Sequence, residues 1–141
     1  ITQLFFANDN TYESISGPEE SELRVEETAL LQKAKMQLHE YFNGHRKAFD
    51  LPLAPEGTPF QLKVWNALLD IPYGETRSYK QIAAAAGNEK ACRAVGMANN
   101  RNPISIIIPC HRVIGSTGKL VGYGGGLAIK EYLLELEQRF L

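Results

Sequence analysis

The sequence predicts an α/β N-terminal lobe over residues 1–55 and a mainly α domain over residues 56–141 built on a helix-turn-helix. Three observations carry this reading. The stretch Leu51-Pro52-Leu53-Ala54-Pro55-Glu56-Gly57 holds two prolines and a glycine without periodicity, as linkers do. Two capping boxes follow it, Thr58-Pro59-Phe60-Gln61 and Ser78-Tyr79-Lys80-Gln81, each opening a helix. Charge also divides along the chain. Residues 1–60 carry ten Asp/Glu against five Lys/Arg, whereas residues 76–112 carry six Lys/Arg against Glu89 alone. A basic block in a chain of net charge -1 fits a polyanion footprint or a merely solvated surface.

In the first lobe, Ile1 to Phe6 reads as a strand. The chain opens without methionine, so earlier strands are expected to be missing from a truncated lobe. A polar loop leads to an amphipathic helix over 26–42. Its apolar face is Leu30, Leu31, Ala34, Leu38, Tyr41 and Phe42, and Gly44 stops it. Lys47 to Leu53 is expected to return as a strand.

In the second domain, the helix over 58–69 buries Phe60, Val64, Trp65 and Leu68, and Ile71-Pro72-Tyr73-Gly74 breaks it. An alanine-rich helix runs from Ser78 to Gly87, and Asn88 is placed to cap the next, over 89–99. Two short helices joined by a glycine turn form the helix-turn-helix pattern. Gly96 inside the second costs about 1 kcal/mol against alanine. Close packing within the domain would explain it, and so would a grooved partner; the basic block favours nucleic acid. Asn99 to Pro103 turns into an expected strand, Ile104 to Ile108. A hairpin turn over 115–118, a glycine loop over 122–126 and a last helix over 127–138 complete the chain. Leu127, Leu133, Leu134 and Leu136 are that helix's core candidates.

No run of 18 apolar residues exists and no signal peptide is present, so a membrane span is excluded and a reducing, cytoplasmic setting is the default. The two cysteines lack metal-type spacing. Pro109-Cys110-His111 is the candidate for chemistry. A free thiol titrates near 8.5, and an adjacent imidazole can take its proton directly or through a water. Neighbours on a strand point to opposite faces, which favours the water. The ring then needs an orienting group, and Glu131, Glu135 or Glu137 on the last helix could supply it. An inert buried thiol beside a structural histidine fits the spacing equally well. Cys92, among alanines, reads as a packing residue. His39 and His45 read as surface groups, and Gly122-x-Gly124 lacks the βαβ setting of a dinucleotide site.

Together, these motifs resemble the O6-alkylguanine-DNA alkyltransferases. The resemblance rests on Asn102-Pro103, Pro109-Cys110-His111-Arg112-Val113-Ile114 and Gly125-Gly126-Leu127-Ala128-Ile129-Lys130. Ile71-Pro72-Tyr73-Gly74-Glu75-Thr76, Ser78-Tyr79 and Ala91-Cys92-Arg93-Ala94-Val95-Gly96 add to it. The likeness covers about residues 58–138, and the acidic lobe resembles the family's N-terminal domain more weakly.

The resemblance implies a ribonuclease H-like first lobe and a winged-helix-like second domain. It implies direct reversal of DNA damage, with one irreversible alkyl transfer per molecule and no cofactor. Cys110 would accept the alkyl group from O6 of a flipped guanine, and His111 would deprotonate it through a water. Among the three carboxylates, Glu137 would orient His111. Tyr79 would protonate guanine N3, and Asn102 would brace the active-site turn. Arg93 would fill the gap in the stack. Ala91, Ala94, Gly96, Ser78 and Arg101 would meet double-stranded DNA through the minor groove. The carbonyls of Cys110 and Val113, with Tyr123, Gly124 and Gly125, would line the guanine pocket. Met97 and Asn99 leave the groove contacts open. Some relatives hold zinc in the first lobe; this lobe has no cysteine, so no metal is expected, and the protein is expected to be a monomer. The competing readings are a non-catalytic binder of alkylated DNA and a thiol hydrolase.

Overall fold

The computed structural model describes residues 1, 3–4, 29–115 and 126–141. Its helices are α1 (Ala29–Phe42), α2 (Pro59–Leu69), α3 (Tyr79–Ala85), α4 (Cys92–Asn100) and α5 (Leu127–Arg139). Two-residue strands β1 (Arg77–Ser78) and β2 (Val113–Ile114) pair in parallel, Arg77 opposite Val113 and Ser78 opposite Ile114. This pairing holds the start of α3, and so Tyr79, next to the segment that carries Cys110.

Both capping boxes form. Thr58 and Ser78 each accept from the backbone N–H three residues on, at 3.1 Å, and Gln61 and Gln81 reach back to the cap N–H at 2.9 and 2.8 Å. Val64, Trp65 and Leu68 of α2, Ile82 and Ala83 of α3, and Val95 and Ala98 of α4 share one core with Ile104, Ile107, Ile108 and Val113. Trp65 Nε1 donates to the Ala98 carbonyl at 2.9 Å, which ties α2 to α4. A second cluster joins Tyr41 of α1 to Ile106 and to Leu133 and Leu136 of α5. Among the described residues no helix is long and apolar enough to cross a membrane.

Several expectations need correction. The isoleucine run is not a strand. Only Ile104 bridges, in parallel, to Leu4. The chain then folds on itself: Ile107 N–H donates to Ser105 O at 2.8 Å across Ile106, whose φ is +72°. That is a γ-turn of the rare positive-φ kind, strained for a β-branched residue. Burial of Ile104, Ile106, Ile107 and Ile108 in two cores, rather than a sheet, explains the apolar run. A second γ-turn follows at Pro109, φ -80° and ψ 64°, with Cys110 N–H donating to Ile108 O at 2.8 Å. Cys110 therefore opens a 3-10 turn, where neighbours project about 120° apart, and strand alternation does not apply to it.

Lys47 to Leu53 is also no strand. Gln37 exchanges two side-chain hydrogen bonds with the Asp50 backbone, at 2.9 and 3.1 Å, in place of a ladder. The buried face of α1 accordingly centres on Ala34, Gln37 and Tyr41, and Leu31 and Phe42 stay exposed. Asn88 forms a local turn onto Lys90 N–H, so α4 starts at Cys92 with no side-chain cap. Leu127 is exposed at the open end of α5. The expected polar loop, the 115–118 turn and the glycine loop lie wholly or mostly outside the described residues.

Candidate active site

Asn102 is the keystone of the turn before Cys110. Its Nδ2 donates to Ile108 O at 2.8 Å and its Oδ1 accepts from Ile104 N–H at 3.0 Å, so one buried side chain holds both ends of the folded run. The 3-10 turn then presents Cys110, His111 and Arg112, all buried.

His111 Nε2 lies 2.6 Å from Glu137 Oε2, and neither side chain reaches solvent. Arg112 grips the same carboxylate, Nε to Oε1 at 2.8 Å and Nη2 to Oε2 at 3.1 Å, and sends Nη1 to Ile71 O at 2.7 Å. Gly74 N–H donates to Oε1 at 3.1 Å and the Tyr41 hydroxyl to Oε2 at 2.6 Å. Burial alone would raise the Glu137 carboxyl, but hydrogen bonds and charge from His111 and Arg112 hold it at about 2. Burial lowers the His111 imidazolium below its usual value, against the pull of Glu137. The pair at neutral pH is thus a carboxylate and a neutral imidazole. A carboxylate only accepts, so Nε2 carries the hydrogen and Nδ1 keeps a lone pair. Nδ1 is buried and has no hydrogen-bond partner among the described residues.

Two further groups sense Cys110. Burial raises the Tyr79 phenol, and the charge of Cys110 raises it further. Burial lowers the Lys130 ammonium while Cys110 charge pulls it back up. Lys130 is fully buried and its Nζ donates to Val113 O at 2.5 Å. Cys110 O accepts from Asn99 Nδ2 at 3.3 Å and from Val113 N–H. Asn99 therefore faces inward, away from any groove surface, whereas Met97 faces solvent.

The structure thus gathers Cys110, His111, Glu137, Tyr79 and Asn102 in one neighbourhood. Arg93, Ala94 and Arg101 are exposed along α4, while Ala91 and Gly96 are half-buried. The Ser78 hydroxyl serves as the α3 cap. Tyr123, Gly124 and Gly125 lie outside the described residues. Reading by residue type missed Tyr41 and Lys130, and it counted Arg112 in the basic surface block although it is buried against Glu137. One signal pointed to the charges on α5: Lys130 and Glu137 sit seven residues apart and flank Leu133 on its apolar stripe. The described residues contain no cluster of His, Cys, Asp and Glu able to hold a metal ion.

The chain matches the model of the 6-O-methylguanine DNA methyltransferase DNA binding domain over residues 59–139 and that of the same family's ribonuclease-like domain over residues 1–55. It is 62% identical to a methylated-DNA–protein-cysteine methyltransferase of Methanosarcina barkeri, over 83% of this chain and 74% of that protein. A constitutive methylated-DNA–protein-cysteine methyltransferase of Bacillus subtilis is 52% identical over 98% of this chain and 83% of its own length. The structure superposes on Mycobacterium tuberculosis OGT in complex with DNA with a TM-score of 0.76 and 58% identity, covering 77% of this chain and 68% of that one. A cysteine set beside a buried carboxylate–imidazole pair agrees with those names, and the chain belongs to the 6-O-methylguanine DNA methyltransferase family, whose members repair DNA directly by taking the alkyl group onto a cysteine of their own.

Proposed function

We propose that Cys110 is the acceptor of this family reaction, and that the other residues of its neighbourhood divide the proton transfers between them. The observation that carries the reading is His111 Nδ1, buried and without a hydrogen-bond partner among the described residues, on the residue that follows Cys110 in the chain. A water between Cys110 Sγ and Nδ1 passes the thiol proton to His111, and Glu137 steadies the imidazolium that forms. The thiolate attacks the alkyl carbon, the S–C bond forms, and the C–O6 bond breaks with its electron pair going to the purine. Tyr79, kept protonated by burial, gives its proton to N3, so neutral guanine leaves. Exchange with solvent then returns the proton held by His111 to Tyr79. The thioether has no ready leaving path, so each molecule reacts once. Lys130 supports the thiolate by its charge.

Chemistry on a base requires its removal from the stack, at a few kcal/mol. In this reading α3 and α4 form the helix-turn-helix of a winged-helix-like domain, residues 56–141. The α4 face bearing Ala91, Ala94 and Gly96 enters the minor groove of double-stranded DNA. Ser78 and Arg101 meet the backbone, and exposed Arg93 fills the place of the flipped guanine. Val113, with Tyr123, Gly124 and Gly125, borders the base. The protein works as a monomer in the cytoplasm, without cofactor or metal.

Intact mass after incubation with an O6-methylguanine duplex tests the reading. One methyl group on Cys110 per molecule is expected. Lesion binding without an adduct would make the protein a non-catalytic binder, and a transient acyl adduct with turnover of an ester would make it a hydrolase.

A further inference from the structure

Glu137 Oε2 accepts from three donors, and one comes from the other lobe. Tyr41 lies on α1, 96 residues away in sequence, and its hydroxyl reaches Oε2 at 2.6 Å, as short as the contact from His111 Nε2 to that atom. Tyr41 is fully buried. Its ring is held by Phe42 at 5.4 Å, Phe49 at 5.5 Å and Tyr73 at 6.2 Å between centroids. Burial, then the charge and hydrogen bond of Glu137, push its phenol far above the usual value, so it stays a donor at every working pH. Tyr41 and His111 thus compete for the electrons of one oxygen.

We propose that Tyr41 is a positioning residue for alkyl transfer: its hydroxyl sets how strongly Glu137 Oε2 pulls on His111, which makes the first lobe part of the proton-transfer machinery. The inference rests on the reading of His111 as the base for Cys110. A carboxylate with one donor fewer is more basic and stabilises the imidazolium better. The other groups facing the pair are Arg112, Lys130 and Cys110 around His111, and Arg112 and Tyr73 around Glu137, with Lys47 over the Tyr73 ring. Burial raises Tyr73, so it stays neutral and does not mask a change at Oε2.

The test is the single-turnover rate of methyl transfer from an O6-methylguanine duplex, measured against pH on the full chain. The wild-type rate is expected to fall on the acid side as His111 protonates, and His111→Asn is expected to be slow and to lack that limb. Tyr41→Phe keeps the ring packing and is expected to move the limb to higher pH, by about half to one unit for one hydrogen bond. Replacing Tyr41 by 3-fluorotyrosine, a stronger donor of nearly the same shape, is expected to move it to lower pH. A merely structural tyrosine would give no such opposed shifts. If His111→Asn lacks the limb but both Tyr41 variants titrate like wild type, the role of Tyr41 is overturned while His111 stands as base. If the limb survives in His111→Asn, the base assignment itself fails. Should Tyr41→Phe not fold, the fluorinated protein decides alone.

Discussion

Arg112 and Glu137 face each other in the interior through two hydrogen bonds, Nε to Oε1 at 2.8 Å and Nη2 to Oε2 at 3.1 Å. The pair keeps Glu137 ionised where burial would neutralise it, and an ionised Glu137 fixes the tautomer of His111. In the proposed mechanism, stability and proton transfer therefore meet in one carboxylate. Glu137→Gln leaves the guanidinium buried without its counter-charge. It is expected to cost about 3–5 kcal/mol of stability and to slow alkyl transfer by about 10²–10⁴-fold. Urea unfolding and single-turnover kinetics measure the two losses. Near-wild-type transfer in the folded variant would remove Glu137 from the mechanism.

The same carboxylate sets an acid limit on folding. Its folded value of about 2 lies below the ordinary 4.5. Its contribution is therefore complete above 4.5 and is lost as pH falls towards 2. His111, lowered from 6.5 by burial, acts in the same direction, because the unfolded chain binds its proton first as pH drops below 6.5. Urea midpoints should fall steadily from pH 7 to pH 3, and less steeply in Glu137→Gln. A midpoint flat over that range would contradict the buried pair.

What the sequence made legible was local. The capping boxes at Thr58 and Ser78 announce α2 and α3 because both partners sit within four residues. The apolar run at 104–108 announced burial but not its form. Periodicity does not separate a strand from a turn swallowed by two cores, and the bond from Asn102 to Ile108 leaves no trace in hydropathy. The Cys110-His111 pair was visible as chemistry, and the resemblance singled out Glu137 from three carboxylates. Tyr41 was legible only as part of an apolar face and Lys130 only as a motif residue; their polar partners were not visible, since these lie 96 and 17 residues off. Arg112 misled because residue type alone places an arginine at the surface.

Gly96 separates packing from recognition. Among the described residues, a Cβ there meets only the Tyr79 ring, at 3.9 Å, an ordinary contact. The fold itself does not require glycine. Gly96→Ala is expected to raise stability by about 0.5–1 kcal/mol through helix propensity. If α4 approaches a groove closely, the same methyl weakens binding to duplex DNA. Urea unfolding and a DNA-binding titration should move in opposite directions; loss of stability with unchanged binding would return Gly96 to a packing role.

Arg93 gives the sharpest test of base extrusion. It stands exposed on the first turn of α4 with no ion pair among the described residues, so its removal costs the fold little. Long-range electrostatics predicts that any exposed arginine in the basic segment contributes to DNA affinity, and that salt masks the loss. A side chain that occupies the vacated stack does something else: it stabilises the extruded state, and only duplex substrate needs that help. Arg93→Ala should therefore slow repair of an O6-methylguanine duplex by about tenfold or more, for a share of the few kcal/mol of unstacking. Reaction with free O6-alkylguanine should stay near wild type. Arg101→Ala, which removes an equal exposed charge, is the control and should lose duplex affinity without that rate asymmetry. Equal losses on both substrates in Arg93→Ala would assign Arg93 to the pocket or the fold rather than to the stack.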